Sequence, residues 1–369
     1  MIYLFLGVSF VYLILFVLLL NGFIKSSNTS KLVYPNNKIV TIIVAARNEE
    51  NNIQNCINSL INIDYPAHLL EIILVDDRST DNTKSVMQKA TENSNKFIIL
   101  DSRNDTTNNL IGKPNAIDTG IAKSKGEIIF ITDADCKVPV NWVQETIKYY
   151  DDDNVGMVCG FTNIKNNKLL FSELQSIDWI YLLAMASAGI GLNIILSCIG
   201  NNITFRKNVY IEIGGYQNID FSVTEDLALL KKISQHKENY VIKFPIDPEC
   251  LVKTNPCRKI SELYNQKKRW FKGGTELNLF RYLMGFELYV MNFILIFGLI
   301  FLPPFVYLSI ISIKIISDLL ITIPVYRKLK IRKLFIYYPF FQIYFALYGL
   351  LLPISFLFGN KINWKGRKF

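Results

Sequence analysis

Apolar residues are distributed unevenly along the 369-residue chain. Met1–Ile24 contains no charged side chain and stops at Lys25. At 1.5 Å of rise per residue such a run exceeds a hydrocarbon core of about 30 Å. It lacks the basic start and small-residue cleavage site of a secretion signal, so an uncleaved anchor is expected. A second apolar region begins near Phe286. There, Phe286–Leu302 and Pro304–Pro324 read as a helical hairpin broken at Pro303-Pro304, followed by a less decided run, Leu334–Phe358. As a simple span, that last run places the basic tail outside; bent near Pro339 and Pro353, it keeps the tail inside.

Between these regions the pattern changes to short β-branched runs separated by mixed segments. Ile39–Ala45, Glu71–Val75, Phe97–Leu100 and Glu127–Thr132 read as strands. Continuous apolar runs of this length suit strands buried on both faces of a parallel sheet. Their alternation with helical segments predicts a doubly wound α/β domain, in which ligands bind at the carboxyl ends of the strands. One further apolar run, Ile177–Ile199, is long enough to span, with Asp178 its only charge. A crossing there would separate the acidic motifs before it from the motifs after it. It is therefore expected to be interfacial, at the surface without crossing. The predicted organisation is an anchor at 1–24, a catalytic domain at 38–283 holding the 177–199 interfacial segment, and a membrane region with a basic tail at 284–369.

The net charge of +9 changes this picture little. Twelve of the 40 basic residues lie in three acid-free clusters: Lys25, Lys31 and Lys38; Arg327, Lys328, Lys330, Arg332 and Lys333; and Lys361, Lys365, Arg367 and Lys368. The other 28 nearly balance the 31 acidic residues. Basic clusters beside apolar runs fit lipid headgroups and retention on the cytoplasmic side, not nucleic acid. The six cysteines form no CxxC pair and there are two histidines, so a zinc site of the usual Cys/His kind is not expected.

The chemistry collects where the strands end. Asp76-Asp77 closes the second strand and Asp133-Ala134-Asp135 the fourth. Residues two apart in an extended chain point the same way, so Asp133 and Asp135 read either as two carboxylates sharing a hard cation or as turn-forming aspartates after a strand. No G-x-x-x-x-G-K or G-x-G-x-x-G phosphate loop follows the first strand, which leaves a carboxylate-held metal as the natural partner for phosphates. Thr224-Glu225-Asp226 precedes an amphipathic helix, where it serves either as a cap or as a general base. Gln266-Lys267-Lys268-Arg269-Trp270 reads either as a solvated basic face or as cations and an aromatic plane for a sugar diphosphate.

Taken in order, VDDRSTD (75–81), DAD (133–135), TED (224–226) and QKKRW (266–270) resemble the D, DxD, TED, QxxRW signature of membrane-integral family 2 glycosyltransferases. These include cellulose, chitin and hyaluronan synthases and ceramide glucosyltransferases. Supporting matches are AARNEE (45–50), GKPNAIDTG (112–120), GNNITFRK (200–207), IGGY (213–216) and the closing WKGRKF (364–369). The resemblance implies a GT-A fold, a Rossmann-like α/β domain flanked by N- and C-terminal transmembrane helices. It implies that Asp77 meets the nucleotide base, with Ala45, Arg47 and Glu49 lining the same pocket. Lys113 would lie near the diphosphate, and Asp133 and Asp135 would meet the nucleotide and Mg²⁺ or Mn²⁺, Asp135 being the firmer ligand. Asp226, with Glu225 beside it, would be the catalytic base, and Gln266, Arg269 and Trp270 would close over the diphosphate.

The expected function is inverting transfer from a nucleotide-diphosphate sugar, a UDP-hexose or UDP-HexNAc, to a lipid, lipid-linked or glycan acceptor. The expected place is a multi-pass protein of a bacterial inner membrane with a cytoplasmic catalytic domain. Two alternatives stand beside it: a processive polysaccharide synthase, and a non-catalytic nucleotide-sugar-binding membrane subunit.

Overall fold

The computed structural model describes residues 2–27, 38–103, 110–165, 168–274, 279–356, 363–364 and 367–368. Lys31 and the tail residues Lys361 and Lys365 lie outside them. The chain opens with helix α1 (Ile2–Ser27), then β1 (Val40–Ala46), α2 (Ile53–Ile61), β2 (Leu70–Asp76), α3 (Thr83–Thr91) and β3 (Phe97–Asp101). Next come α4 (Lys113–Lys123), β4 (Ile128–Asp133), α5 (Trp142–Ile147), β5 (Val155–Cys159), β6 (Thr162–Ile164) and α6 (Leu170–Gly191). They are followed by β7 (Ile203–Arg206), α7 (Lys207–Glu212), α8 (Glu225–Ser234), β8 (Val241–Lys243) and β9 (Val252–Thr254). Four helices complete the chain: α9 (Ile260–Gly274), α10 (Leu279–Phe301), α11 (Pro304–Lys328) and α12 (Tyr338–Ser355).

These elements form two compact units. One comprises residues 28–163 and 198–255, the other residues 1–27, 164–197 and 256–369. Within the span 38–283 expected as the catalytic domain, 164–197 and 256–283 fall in the same compact unit as the helices.

The first unit is built on a seven-stranded sheet in the order β3-β2-β1-β4-β7-β5-β8. The four strands read from the sequence run parallel, each within a residue or so of its expected bounds. Their β-branched side chains are buried because helices cover the faces, and Val40, Ile42, Val44, Ile72, Leu74, Ile128 and Phe130 lie in one core. Beyond β4 the sheet is mixed, since β7 is antiparallel to both β4 and β5. Gly126 enters β4 against the backbone of Thr41, where a Cβ would lie 2.3 Å from its nitrogen.

In the helical unit, four helices are long and apolar enough to cross a membrane among the described residues: Ile2–Ser27, Arg281–Phe301, Pro304–Lys328 and Phe335–Ser355. Pro303 and Pro304 separate α10 from α11, and Pro304 opens α11 where a missing N–H is harmless. Pro339 sits in the first turn of α12 and Pro353 near its end, so that last run is one helix.

Residues 177–199, expected to be interfacial, fall largely in helix α6 (Leu170–Gly191). Helix α6 starts earlier, stops at Gly191 and is buried from Ser172 to Gly189 apart from Leu182. It packs on α1, α11 and α12. Small residues permit this: a Cβ on Gly22 of α1 would lie 2.1 Å from the Ala188 carbonyl oxygen, and Ser26 and Ser187 share a 3.0 Å hydrogen bond. A helix apolar on all sides has its chemistry satisfied in a helical interior.

Candidate active site

The parallel register brings the acidic residues to one sheet edge. Ala45 of β1 stands between Val75 of β2 and Asp133 of β4, and Ala46 stands beside Asp76. Two loops are laced together there. The Asp77 N–H donates to Ala46 O (2.8 Å), and Arg47 Nη1 donates to Asp77 O (3.0 Å). Asn48, at φ +53°, presents its N–H to Ser79 Oγ and its side-chain oxygen to the Thr80 N–H. Asp81 accepts from the N–H and hydroxyl of Thr83, which is the turn chemistry its sequence suggests.

Asp77 is buried and accepts from Ser102 Oγ (3.2 Å). Ala45 is half-buried at the same edge. Glu49 is turned to local work: its carbonyl accepts from Asn52 and Ile53 at the start of α2, and its carboxylate accepts from Asn52 Nδ2. Three buried polar atoms in these strands and loops carry no protein hydrogen bond: Arg47 Nε, Asp76 Oδ1 and Thr132 Oγ1. Buried polar atoms without protein partners are rare, and these three lie at or just beyond the carboxyl ends of β1, β2 and β4.

Asp133 and Asp135 are not an extended pair. β4 ends at Asp133, and a turn follows in which the Cys136 N–H donates to Asp133 O (3.0 Å). Asp135 stands in that turn and accepts from Thr254 Oγ1 (3.2 Å). Alternation along a strand therefore does not orient this pair; the turn and Thr254 do. Burial, together with Asp135 and Asp133, pushes the Cys136 thiol well above its ordinary range, so it stays neutral.

Lys113 joins two motifs. Gly112, at φ +75°, turns the chain into α4, whose first residue is Lys113. Its ammonium lies 2.6 Å from Asp133 Oδ1 and 3.2 Å from Glu225 Oε1. Burial opposes that charge, but Asp133, Glu225 and Asp226 outweigh it and hold the lysine pKa far above its usual value. Glu225 and Asp226 occupy the first turn of α8, at the positive end of its dipole, and Asp226 Oδ1 accepts from the Leu227 N–H (2.8 Å). Thr224 makes no side-chain cap, so the capping reading of this motif falls to Asp226 alone.

Sequence reasoning missed Gly200. A Cβ there would lie 3.1 Å from Asp226 Oδ2 and 3.2 Å from Lys113 Nζ, so only a glycine lets the two groups close over it unhindered. The rest of that motif is scaffold. Asn202 Nδ2 donates to Phe161 O and Cys250 O while its oxygen accepts from Trp142 Nε1, and Arg206 ties down Tyr150 O, Asp152 O and Val155 O.

A divalent cation fits this edge by chemistry. The Lys113 ammonium faces Asp133 and Glu225, with Asp226 near it and Asp135 close by in the chain. The donors are all oxygen. Among the described residues no group of three or more His, Cys, Asp or Glu side chains is arranged to enclose a metal. An ion would be held by Asp133 and Asp135 with substrate phosphates completing its shell, as is usual for Mg²⁺.

QKKRW lies in the helical unit, on α9. It is not the solvated face that its charge suggests: Lys267 and Lys268 are buried, while Gln266, Arg269 and Trp270 are half-buried. Lys267 pairs with Asp178 of α6, which also accepts from Tyr348 Oη (2.6 Å) and Tyr344 Oη (3.3 Å) of α12. The Lys267 ammonium stands 4.4 Å from the centre of the Trp270 ring, and that ring meets Trp179 edge-on at 5.3 Å. Burial lowers the Lys267 pKa despite Asp178. Asp178, visible in the sequence only as a lone charge in an apolar run, is thus the anchor of the basic motif.

Residues 41–225, half of the chain, match the family model for Glycosyl transferase family 2. The chain belongs to this family. It is 28% identical over 244 residues to the poly-beta-1,6-N-acetyl-D-glucosamine synthase of Staphylococcus aureus (strain MSSA476), covering 65% of this chain and 55% of that protein. The Staphylococcus epidermidis synthase of the same name is 26% identical over 245 residues, again covering 65% and 55%. The chain thus spans about half the length of the curated relatives it matches. Among solved structures, the mannosyltransferase PcManGT from Pyrobaculum calidifontis, in complex with GDP-Man and Mn²⁺, aligns at a TM-score of 0.58 with 18% identity. That alignment covers 96% of this chain and 95% of the mannosyltransferase, and it shows the shared GT-A-like fold.

Proposed function

We propose that this family 2 member transfers a sugar, with inversion, from a nucleoside-diphosphate sugar to a hydroxyl-bearing acceptor at the cytoplasmic face of a membrane. The observation that carries this reading is Lys113, whose ammonium bridges Asp133 and Glu225 beside Asp226. It brings a diphosphate-binding cation and a base to one sheet edge.

In the proposed step the acceptor hydroxyl attacks the anomeric carbon. Its oxygen forms the new bond to carbon while the bond from carbon to the diphosphate oxygen breaks. The proton passes to Asp226, and the electron pair leaves with the nucleoside diphosphate. Asp77 and Arg47, with Ala45 beside them, form the nucleotide end of the site. Lys113 neutralises growing charge on the leaving group, an effect worth several kcal/mol in sites of this kind. Mg²⁺ or Mn²⁺ on Asp135 and Asp133 would supply further charge neutralisation when bound. Gln266, Arg269 and Trp270 are assigned to the diphosphate and acceptor. The four apolar helices and the basic residues that flank them support a multi-pass protein with its catalytic unit in the cytoplasm.

The preferred acceptor is a lipid or lipid-linked glycan receiving one or a few sugars. Processive polymer synthesis is the second reading, favoured by the names of the staphylococcal relatives.

The test is nucleoside diphosphate release by the purified full-length protein with native lipid extract, Mg²⁺ or Mn²⁺ and a panel of nucleotide sugars. Release with one donor is expected, and Asp226→Asn should reduce it by about 10²–10⁴ while leaving nucleotide binding intact. Equal loss of binding and release in that variant would remove Asp226 as the base. A ladder of products in place of single additions would decide for the polymer synthase.

A further inference from the structure

Arg78 of the VDDRSTD motif follows Asp77 at φ +58°, in the left-handed region. A glycine takes that backbone freely and a residue with a Cβ resists it, so the turn gains nothing from an arginine. The side chain is exposed, and its Nη2 donates to Arg103 O (2.9 Å). That carbonyl also accepts from Asn115 Nδ2 (2.9 Å), and the Arg103 N–H donates to Thr119 Oγ1 (3.2 Å), so α4 holds the anchor in place. One residue earlier, Ser102 Oγ donates to Asp77 Oδ1 (3.2 Å). One corner of the guanidinium is thereby fixed at the end of β3, next to the nucleotide end of the proposed site and open to solvent.

Other cations around these strand ends face carboxylates: Lys84 meets Asp101, Arg103 meets Asp118, and Lys113 meets Asp133 and Glu225. Arg78 meets none among the described residues. A guanidinium carries five N–H donors in one plane and no acceptor, and the bond to Arg103 uses one of them. The sheet order narrows what the others can meet. Asp133 ends β4 and Arg103 lies just past β3, with β1 and β2 between them. At a strand spacing of roughly 4.8 Å, that is a separation of about 14 Å. Phosphates drawn to Lys113 and Asp133 therefore leave the β2–β3 end to the nucleobase. A group that only donates suits a keto oxygen and opposes an amino group, which is itself a donor.

We infer that Arg78 is a substrate-binding residue that donates to the keto oxygen of a uracil or guanine base, at the place where cytosine and adenine carry an amino group. This rests on the transferase reading given above and adds the choice of nucleobase to it.

The experiment titrates UDP against CDP, and GDP against ADP, into full-length wild type and Arg78→Gly with Mn²⁺ present, beside a melting curve for each protein. Each pair of nucleotides exchanges a keto oxygen for an amino group. Wild type should bind UDP or GDP at least about tenfold more tightly than its amino counterpart. Arg78→Gly should lose about tenfold for that keto nucleotide and little for the amino one, with no fall in melting point because glycine suits the turn. Arg78→Lys keeps the charge without the planar fork and should show the same loss of preference. Equal weakening toward all four nucleotides would move the contact to ribose or phosphate and overturn the inference. Unchanged affinities in both variants, or a wild type with no keto preference, would overturn it while leaving the transferase reading in place. A wild type that binds none of the four would instead sink the transferase reading beneath it.

Discussion

Two lysine–aspartate pairs in this molecule have similar distances and opposite surroundings. In the sheet unit, Lys113 sits 2.6 Å from Asp133, and both side chains keep access to solvent, 24% and 33% exposed. That lysine is shared with Glu225, and buried polar atoms at the same sheet edge lack partners. In the helical unit, Lys314 and Asp318 of α11 lie 2.9 Å apart and are sealed, 0% and 1% exposed. Every oxygen of Asp318 is used there. Oδ1 accepts from Tyr12 (2.6 Å) and Tyr181 (2.9 Å), and Oδ2 accepts from Lys314 and Gln342 (2.8 Å). Lys314 also donates to Gln342 Oε1, and Gln342 donates to Tyr338 Oη. The sealed pair joins α1, α6, α11 and α12 and has no capacity left for a ligand. The open one is shared among several charged groups and stays in reach of solvent. An ion pair by itself therefore says little; its degree of closure separates an assembly device from a binding site.

The sharpest way to break this comparison is to open the sealed pair. Lys314→Met should leave a buried aspartate short of its cation and cost about 3–5 kcal/mol. That would appear as a large fall in the thermal midpoint in a fixed detergent. Adding Asp318→Leu should recover part of it, because a pair replaced by apolar groups no longer strands a charge. A Lys314→Met protein as stable as wild type would show that the network is not closed.

The same change in the open pair should do the reverse. Lys113→Met should move stability by no more than about 1 kcal/mol, as is usual for solvent-accessible pairs. Its affinity for a nucleotide sugar should fall by at least about tenfold, since a cation aimed at phosphate is lost. Calorimetric titration beside a melting curve separates the two effects, and a Lys113→Met protein that melts early but binds normally would invert the comparison. The smallest effect is expected at Gly200. Gly200→Ala forces Lys113 and Asp226 apart by a few tenths of an ångström, which should slow turnover roughly three- to tenfold with an unchanged melting point. Faster turnover would mean that the two groups sit too close in the glycine form.

Much of the sheet unit was legible. Ile42, Ile43 and Val44, or Ile72, Ile73 and Leu74, are recognisable strands because β-branched and apolar continuity is a local property, and strand ends then locate the carboxylates. The helical unit was less legible. Asp178 and Lys267 are far apart in sequence, and neither α6 nor α9 carries a local sign that they meet. The sequence therefore left open whether the basic motif is a solvated face or a ligand-binding one, and gave Asp178 no partner. Asp133 and Asp135 were rightly placed at the strand end, where the turn-forming reading of the pair describes the backbone and the extended one does not. Gly200 gave no signal by type, since what distinguishes it is its set of spatial neighbours.

The sequence by itself determined the parallel strands, the apolar helices and the family signature, because these depend on short-range periodicity and on order along the chain. Only the tertiary structure decided that Lys113 bridges two motifs and that Gly200 makes room for it. It alone decided that Asp178 anchors the basic motif. Charge pairing, burial and hydrogen-bond satisfaction are properties of neighbours in space, and folding chooses those neighbours from segments that the chain keeps far apart.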